Sequence, residues 1–331
     1  MIRVAINGFG RIGRQILQAG INDSEIEWVA INDLTDTKTL AYLLKYDSVQ
    51  QRETKDVSAN ADSIVVNGKK ILVFAEKDPE KLPWAKLNID IVVESTGFFT
   101  DREGSMKHIK AGAKKVLISA PGKNLDLTVV KGVNEHLLNG KTCSIVSNAS
   151  CTTNATSPLA KVLNDNFGIE KGFIITAHAY TATQKLVDAP DAKDLRRGRS
   201  AAVNIVPSTT GAAEAVVETI PELKGKLDGF ALRVPIPCGS IITLVALVKK
   251  PTNKDEVNWY FKQVSEHHMK GVVQYVEEPI VSSDIIHNPY SCIFDSLLTK
   301  VTDGNLVSVT SWYDNEWGYS NRMVDIIKKM K

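Results

Sequence analysis

The first half of the chain alternates short apolar runs with segments whose apolar residues recur every three or four positions. Short apolar runs predict buried strands, and the longer spacing predicts helices. We predict strands at 2–6, 26–31, 89–94 and 115–118 and helices at 11–19, 37–44 and 105–111. The turn pair Asn67-Gly68 between two apolar runs predicts one antiparallel hairpin. This alternation is typical of a mostly parallel sheet covered by crossover helices.

The pattern changes after Cys151. Helices are predicted at 152–167, 255–269 and 320–331, and strands at 173–177, 229–234, 241–248 and 307–312. Strands separated by long loops and a few helices predict an α+β domain with a mixed or antiparallel sheet. The boundary is therefore predicted near Ser150, which gives one domain at 1–150 and a second at 151–315.

Composition excludes several classes of protein. The chain has 331 residues, of which 43% are hydrophobic and 24% charged, and a formal net charge of +2. This balance is ordinary for a globular enzyme and does not indicate nucleic acid or a membrane as the partner. The N-terminus is predicted to be a strand of the fold and not a secretory signal. The four cysteines show no metal-ligand spacing. We therefore expect a cytoplasmic protein without a structural metal or disulfides.

A glycine motif follows the first predicted strand and opens the first predicted helix. It is Gly8-Phe9-Gly10-Arg11-Ile12-Gly13, and in that context it predicts a Rossmann-type dinucleotide-binding turn. Gly8 is expected to form the tight turn, Gly10 to let the backbone approach the pyrophosphate, and Gly13 to let helix and strand pack closely. Asp33 ends the second strand twenty residues later. Its carboxylate suits ribose hydroxyls and would repel a 2′-phosphate, which favours NAD over NADP.

Cys151 lies among small polar residues at the start of the long predicted helix. The free N–H groups and dipole of a helix N-terminus are expected to lower the pKa of this thiol and to stabilise an oxyanion. Such a nucleophile needs a base. His178 at the tip of the strand 173–177 is a candidate, although a lone histidine is as often structural. The adjacent His267 and His268 are expected at the surface, and His108 is expected in a helix without a polar cluster.

Several motifs in the same order resemble phosphorylating glyceraldehyde-3-phosphate dehydrogenases. They are the segments 6–14, 94–99, 147–154, 194–197, 207–213, 312–316 and 318–320. The resemblance extends essentially from end to end of the chain. It implies a glycolytic enzyme in which Cys151 attacks the aldehyde of glyceraldehyde 3-phosphate and His178 accepts the proton during hydride transfer to NAD. Inorganic phosphate then resolves the thioester to give 1,3-bisphosphoglycerate.

The resemblance also implies the binding residues. Inorganic phosphate would face Ser150, Thr152, Thr210 and Gly211, and the substrate phosphate would face Thr181 and Arg233. The cofactor would contact Gly8, Gly10, Arg11, Ile12, Gly13, Asp33, Lys77, Ser95, Thr96, Ser119, Asn315 and Tyr319. A C-terminal helix at 316–331 would pack back on the first domain. The loop that contains Arg196, Arg197 and Arg199 would lie against a neighbouring subunit in a homotetramer, although the residues alone predict a solvated loop.

Two alternatives stay open on the sequence. Erythrose-4-phosphate dehydrogenases share the cysteine motif, although segments 178–181 and 209–211 match the triose enzymes better. A non-catalytic dinucleotide-fold binding protein is also possible, but the pairing of Cys151 with His178 and the lack of basic excess weigh against it. Ala189-Pro190 departs from the Leu-Pro of many NAD-specific members, so secondary use of NADP is compatible with the sequence.

Overall fold

A computed structural model describes residues 1–50, 56–139, 141–192 and 194–331. These residues form two compact units. The first contains Met1–Val129, Glu135–Ala149 and Ser320–Lys331, and the second contains Val130–Asn134 and Ser150–Tyr319. The described helices include none that is both long enough and apolar enough to cross a membrane.

The described part of the first unit contains a nine-stranded sheet. Its strands are β1 (Ile2–Asn7), β2 (Ile26–Asn32), β3 (Val57–Ala59), β4 (Ser63–Val66), β5 (Lys69–Phe74), β6 (Ile91–Glu94), β7 (Lys115–Ile118), β8 (Leu127–Thr128) and β9 (Ile145–Ser147). The order is β3-β4-β5-β2-β1-β6-β7-β9-β8. All pairs are parallel except β3 with β4 and β4 with β5. The predicted mostly parallel sheet is confirmed.

Among the described residues, three α-helices belong wholly to this unit: α1 (Arg11–Gly20), α2 (Thr37–Lys45) and α3 (Arg102–Lys110). The predicted hairpin is confirmed, because Asn67 and Gly68 both have positive φ, +49° and +77°, between β4 and β5. Helix α3 begins three residues earlier than predicted. The side chain of Asp101 accepts a hydrogen bond from the Gly104 N–H and caps the helix there.

Polar side chains end three adjacent strands of this sheet. Asn7 is in register with Asn32 on one side and with Glu94 on the other. Because these strands are parallel, their carboxyl ends lie at one edge, where ligands bind in open α/β sheets. The Asn32 amide donates to the Asn7 side-chain oxygen at 2.7 Å, and the Asn7 amide donates to Glu94 at 2.6 Å.

The fully buried Glu94 carboxyl group lies at the centre of a network that includes His108. His108 Nε2 lies 3.1 Å from Glu94 Oε2, and the Trp84 indole N–H donates to His108 Nδ1 at 3.1 Å. An indole N–H can only donate, so His108 Nδ1 is the acceptor. Nε2 therefore carries the ring proton and donates a hydrogen bond to the Glu94 carboxyl group. The expectation that His108 lies in a helix without a polar cluster is therefore wrong. Its partners come from β6 and from residue 84, which helix periodicity does not reveal.

The described part of the second unit contains an eight-stranded mixed sheet. Its strands are β10 (Ile169–Ala179), β11 (Val206–Thr209), β12 (Leu227–Val234), β13 (Ser240–Val248), β14 (Val273–Val276), β15 (Cys292–Asp295), β16 (Lys300–Thr302) and β17 (Leu306–Tyr313). The order is β11-β12-β10-β13-β17-β15-β14, with β16 paired to β17. The predicted α+β class with a mixed sheet is confirmed.

The helices of the second unit are α4 (Cys151–Phe167), α5 (Ala212–Thr219) and α6 (Lys254–Glu266). Helix α4 ends at Gly168, which has φ +70°, as predicted. Helix α6 ends at Glu266, three residues before the predicted end at Met269. The next residue, His267, has non-helical backbone angles of φ −117° and ψ −107°. The last helix, α7 (Trp317–Lys329), starts in the second unit and continues into the first.

The buried network yields a stability prediction. Replacing His108 with Leu removes the Nε2–H donor from a carboxyl group that stays buried, which we expect to cost about 3 kcal/mol of unfolding free energy. His108→Gln is the matched control, because its amide retains one N–H donor, and we expect a loss of about 1 kcal/mol. Urea unfolding monitored by Trp fluorescence measures both. Equal losses in the two variants would contradict a donor role for His108.

Candidate active site

The turn before helix α4 is strained. Ala149 has φ +53°, a left-handed conformation that costs a non-glycine residue about 1 kcal/mol. Ser150 then caps α4, because its Oγ accepts a hydrogen bond from the Thr153 N–H at 3.0 Å. The cap makes Cys151 the first residue of a 17-residue helix. Strain of this kind is concentrated at functional sites.

Cys151 and His178 are in direct contact. Cys151 Sγ lies 3.4 Å from His178 Nε2, which is within hydrogen-bond reach for a thiol and an imidazole. His178 is the tenth residue of the eleven in β10 and is buried, whereas Cys151 is half-buried. A long strand and a long helix thus fix the two groups on rigid elements. Apart from His178, the histidines lie away from Cys151. His267 and His268 are exposed, as expected.

The electrostatics of the pair differ from the sequence expectation. Burial raises the pKa of the Cys151 thiol above its ordinary value, and the charge of Arg233 and hydrogen bonds from Thr152 only partly oppose it. Burial, together with the Arg233 charge, lowers the pKa of His178 to about 3. The predicted lowering of the Cys151 pKa is therefore wrong, because burial outweighs the effect of the helix N-terminus.

Arg233 stands beside His178 because of strand register. In the parallel pair β10 and β12, His178 is aligned with Arg233. Arg233 Nη1 lies 2.6 Å from His178 Nδ1 and donates to the Ala179 carbonyl at 3.2 Å. Burial lowers the pKa of the guanidinium, and the nearby charge of Arg197 acts in the same direction. Because two cations close to each other repel, an anion between Arg233 and Arg197 would be stabilised there.

A buried tyrosine holds the start of α4 to the sheet. Tyr313 OH lies 3.2 Å from Thr152 Oγ1 and 3.0 Å from Thr176 Oγ1. Its ring meets the His178 ring edge-on, with centroids 5.9 Å apart. Burial raises the pKa of the Tyr313 phenol, so this residue stays neutral and acts as a scaffold. The motif that contains it suggested a function at 312–316 but did not identify this contact.

A second scaffold residue, Ser240, was missed on the sequence. Its hydroxyl donates to Asn315 Oδ1 at 2.9 Å and accepts from the Ala179 N–H at 3.1 Å. The Gly239 N–H also donates to Asn315 Oδ1. Two donors thereby fix the carbonyl end of the Asn315 side chain and define where its amide N–H groups point. Ser240 is the first residue of β13, and nothing in the sequence around it predicts this role.

The remaining predicted anion ligands lie on separate turns of the second unit. The Thr181 N–H and hydroxyl both donate to Gln184 Oε1, at 2.7 and 3.0 Å. Thr210 Oγ1 accepts from the Ala212 N–H at 3.2 Å, and Gly211 stands at the N-terminus of α5. Helix α5 packs against α4. Direct contacts therefore join some of the predicted catalytic and anion-binding residues. His178 contacts both Cys151 and Arg233. Thr152 Oγ1 lies 4.0 Å from Cys151 Sγ.

The three glycines of the motif at 8–13 have three different surroundings. Gly8 has φ +91°, and a Cβ there would lie 2.7 Å from the Thr96 backbone nitrogen. A Cβ on Gly13 would lie 2.2 Å from the Gly8 carbonyl oxygen. A Cβ on Gly10 would meet no atom within 4 Å. Gly8 and Gly13 thus serve the packing of the turn, and the open space at Gly10 is available to a ligand.

A cavity of about 630 Å³ opens beside this turn. It is lined by Asn7, Gly8, Gly10, Asn32, Asp33, Leu34, Glu76, Lys77, Ser95, Thr96, Phe98 and Phe99. The Asp33 carboxylate accepts hydrogen bonds from the Phe9 N–H at 2.8 Å and the Thr35 N–H at 3.0 Å, which holds it at the rim. Phe98 is 86% exposed, so its ring is available for stacking. The sequence analysis missed Asn7, Asn32, Leu34, Glu76, Phe98 and Phe99, although the polar strand ends were a usable signal.

Some predicted cofactor residues lie outside this lining. Arg11 pairs with Asp47 at 2.8 Å, and Ile12 is half-buried in the first turn of α1. The Ser119 N–H donates to the Glu94 carbonyl. Asn315 and Tyr319 belong to the second unit.

Comparisons with known proteins agree along the chain. A family model described as the NAD binding domain of glyceraldehyde 3-phosphate dehydrogenase matches residues 2–102, and one described as its C-terminal domain matches residues 150–315. The chain is 54% identical to glyceraldehyde-3-phosphate dehydrogenase 2 of Streptomyces avermitilis over 326 residues, which cover 98% of this chain and 97% of the relative. It is 54% identical to the glyceraldehyde-3-phosphate dehydrogenase of Geobacillus stearothermophilus over 325 residues, with the same coverage.

The glycine geometry separates folding from ligand binding. Gly13→Ala forces a Cβ against the Gly8 carbonyl, and we expect a loss of about 2–4 kcal/mol of unfolding free energy. Gly10→Ala meets no protein atom, so we expect unchanged stability but a dinucleotide affinity lowered at least about tenfold. Thermal unfolding and calorimetric titration measure the two effects. A Gly10→Ala variant that binds normally would show that the pyrophosphate does not pass this residue.

Proposed function

Because this chain belongs to the glyceraldehyde-3-phosphate dehydrogenase family, we propose that it converts glyceraldehyde 3-phosphate, NAD and inorganic phosphate to 1,3-bisphosphoglycerate. The observation that carries the proposal is the 3.4 Å contact between Cys151 Sγ and His178 Nε2 at the start of α4. A thiol and an imidazole in contact can form and resolve a thioester. An erythrose-4-phosphate dehydrogenase would use the same pair, but the relatives are named for the triose phosphate.

The reaction begins with proton transfer from Cys151. As Sγ attacks the aldehyde carbon, His178 Nε2 takes the thiol proton and returns it to the carbonyl oxygen, which gives a neutral hemithioacetal. His178 then removes the hydroxyl proton while the hydride leaves the same carbon. Bound NAD supplies the hydride acceptor for this step. The product on the enzyme is a thioester, and the proton is on His178.

Phosphate completes the cycle. An oxygen of inorganic phosphate attacks the thioester carbon, Cys151 leaves, and His178 returns its proton to the sulfur. Ser150, Thr152, Thr210 and Gly211 are proposed to bind this phosphate. The free N–H groups at the start of α4 and α5 support that assignment, because helix N-termini bind anions.

The substrate phosphate is assigned to Thr181 and Arg233. A guanidinium offers a fork of donors that matches phosphate oxygens. Arg197 is added to this site, because its charge acts on Arg233 and its Nη2 donates to Ser208 at 3.3 Å. The sequence analysis left Arg197 with the solvated loop.

The cofactor residues are proposed as predicted. Open space at Gly10 and the close packing at Gly8 and Gly13 fit a pyrophosphate on the N-terminus of α1. Asp33 would bind the adenosine ribose. Arg11, Ile12, Lys77, Ser95, Thr96, Ser119 and Tyr319 complete the set. Asn315 would donate to the nicotinamide carboxamide, which the fixed orientation of its Oδ1 supports.

The domain roles, assembly and location are also proposals. Residues 1–150, with the helix at 316–331 packed on them, would bind the cofactor, and residues 151–315 would perform the chemistry. The protein would be a cytoplasmic homotetramer, and apolar side chains on the loop at 186–205 support the contact between subunits. Leu186, Val187, Leu195, Val203 and Ile205 are each at least 65% exposed in the single chain.

Replacing the nucleophile tests the reaction. Cys151→Ser keeps the shape but offers a far weaker nucleophile, and we expect NADH formation to fall at least about a thousandfold. NAD affinity, measured by calorimetry, should stay unchanged. Cys292→Ser is the control, because burial raises the pKa of that thiol to about 12 and full activity is expected. Wild-type turnover that does not depend on inorganic phosphate would contradict phosphorolysis, and a faster rate with erythrose 4-phosphate would favour that alternative.

Asp33 tests cofactor choice. Asp33→Ala removes the charge that would repel a 2′-phosphate, so we expect the NADP-to-NAD ratio of kcat/KM to rise about tenfold, or ~1.4 kcal/mol. Asp36→Asn is the control, because Asp36 only caps α2 through the Thr39 N–H. An unchanged ratio in Asp33→Ala would show that another residue discriminates.

A further inference from the structure

Strand β13 lies between β10, which carries His178, and β17, which leads into Asn315. It is antiparallel to both neighbours, so its first residue lies at the carboxyl ends of both. That residue is Ser240, whose side chain is fully buried. The fold thereby places one hydroxyl between the end of the strand that carries the base and the residue assigned to the nicotinamide.

The Ser240 hydroxyl extends the pairing of β10 beyond the end of its backbone ladder with β13. The aligned residues of the two strands end at Ala177 and Ile241. Two residues later, the N–H of Ala179 donates to Ser240 Oγ at 3.1 Å. The peptide that follows His178 is therefore held by a side chain where the backbone of β13 no longer pairs with it.

The same hydroxyl holds the side chain of Asn315. A backbone N–H can only donate, so Ser240 Oγ accepts from Ala179 and its single proton is available for Asn315 Oδ1, 2.9 Å away. The Gly239 N–H donates to the same oxygen at 3.2 Å. Two donors thus occupy both lone pairs of Oδ1, and the nitrogen end of the amide is directed away from them.

The nitrogen end of the Asn315 side chain is the part that a ligand can use. Asn315 is only 6% exposed, and its hydrogen bonds to described residues all involve Oδ1. A buried amide N–H ordinarily has an acceptor. The carbonyl oxygen of a nicotinamide carboxamide is an acceptor of the right chemistry, so the residues present fit that group.

We propose that Ser240 is a positioning residue for hydride transfer, because it ties the orientation of the Asn315 amide to the end of the strand that carries His178. It acts through Asn315 and the Ala179 N–H and touches no reacting atom. Hydride transfer requires the base and the hydride acceptor to be held in a fixed relation. This inference rests on the proposed function, since it takes Asn315 as the donor to the carboxamide.

Calorimetric titration of the full-length protein with NAD and with ADP-ribose tests the proposal. ADP-ribose lacks the nicotinamide ring, so the ratio of the two affinities reports the contacts of that ring. Ser240→Ala removes one of the two donors to Asn315, and we expect NAD affinity to fall about fivefold, on the order of one neutral hydrogen bond. ADP-ribose affinity should stay unchanged. An unchanged ratio, including a loss shared by both ligands, would overturn the proposal.

A double-mutant cycle shows whether Ser240 acts through Asn315. Asn315→Ala alone should lower the ratio of NAD to ADP-ribose affinity at least as far as Ser240→Ala does. Adding Ser240→Ala to Asn315→Ala should lower it no further, because the two residues share one contact. A second fall of about fivefold in the double variant would mean that Ser240 acts by another route, and the proposal would be wrong.

Two further variants serve as controls. Ser240→Thr keeps the hydroxyl and should retain the wild-type ratio. Ser311 is also fully buried, but its hydroxyl donates to the Trp312 carbonyl on its own strand, so Ser311→Ala should leave the ratio unchanged. If Ser240→Thr behaves like Ser240→Ala, or if Ser311→Ala lowers the ratio equally, the Ser240 hydroxyl does not have the proposed role.

Amide hydrogen exchange and kinetics test the connection to β10. In Ser240→Ala the Ala179 N–H loses its acceptor, so the peptide that contains it should gain one rapidly exchanging amide by mass spectrometry. We expect kcat to fall about tenfold with the KM for the aldehyde unchanged. A raised KM at constant kcat, or unchanged exchange, would contradict the proposal. Failure of the proposed function would instead appear as NADH formation that survives Cys151→Ser.

Discussion

The register of β10 against β12 is the constraint on which the catalytic site depends. It aligns His178 with Arg233 across a parallel strand pair, and the antiparallel pairing of β10 with β13 fixes the same strand from its other side. A slip of one residue would turn the His178 side chain to the opposite face. The imidazole would then lose both Cys151 and Arg233. Strand β10 has eleven residues and pairs along most of its length with β12 on one edge and with β13 on the other, which makes such a slip costly. The sheet therefore fixes the geometry of the site.

The two units treat buried charge in opposite ways. Glu94 in the first unit is satisfied within its own surroundings by Asn7, His108 and the Thr96 N–H. That arrangement is complete without a ligand, and it holds the polar strand ends at the cofactor cavity. Arg233 in the second unit is only partly satisfied, since Nε has no partner among the described residues. A satisfied charge rigidifies its surroundings, whereas a partly satisfied one favours binding of its complement.

Local patterns predicted what local interactions decide. Strand and helix positions, the Asn67-Gly68 hairpin and the glycine turn all follow from residues within a few positions of one another. The errors concern contacts over long sequence separations. His108 meets Trp84 and Glu94 through tertiary packing, and Arg233 reaches His178 through strand register 55 residues away. The prediction of a lowered Cys151 pKa was wrong for the same reason. Burial of the thiol by the surrounding unit raises its pKa more than the N-terminus of its own helix lowers it.

The contact between Cys151 and His178 suits a reaction that uses the thiol in two roles. Cys151 must first lose its proton to attack and later leave as a thiolate that is reprotonated, so His178 has to be protonated and deprotonated within each cycle. Burial and a neighbouring cation lower the pKa of this imidazole to about 3, so that it returns a proton readily. Arg233 and His178 therefore form one unit, because strand register places their nitrogens 2.6 Å apart.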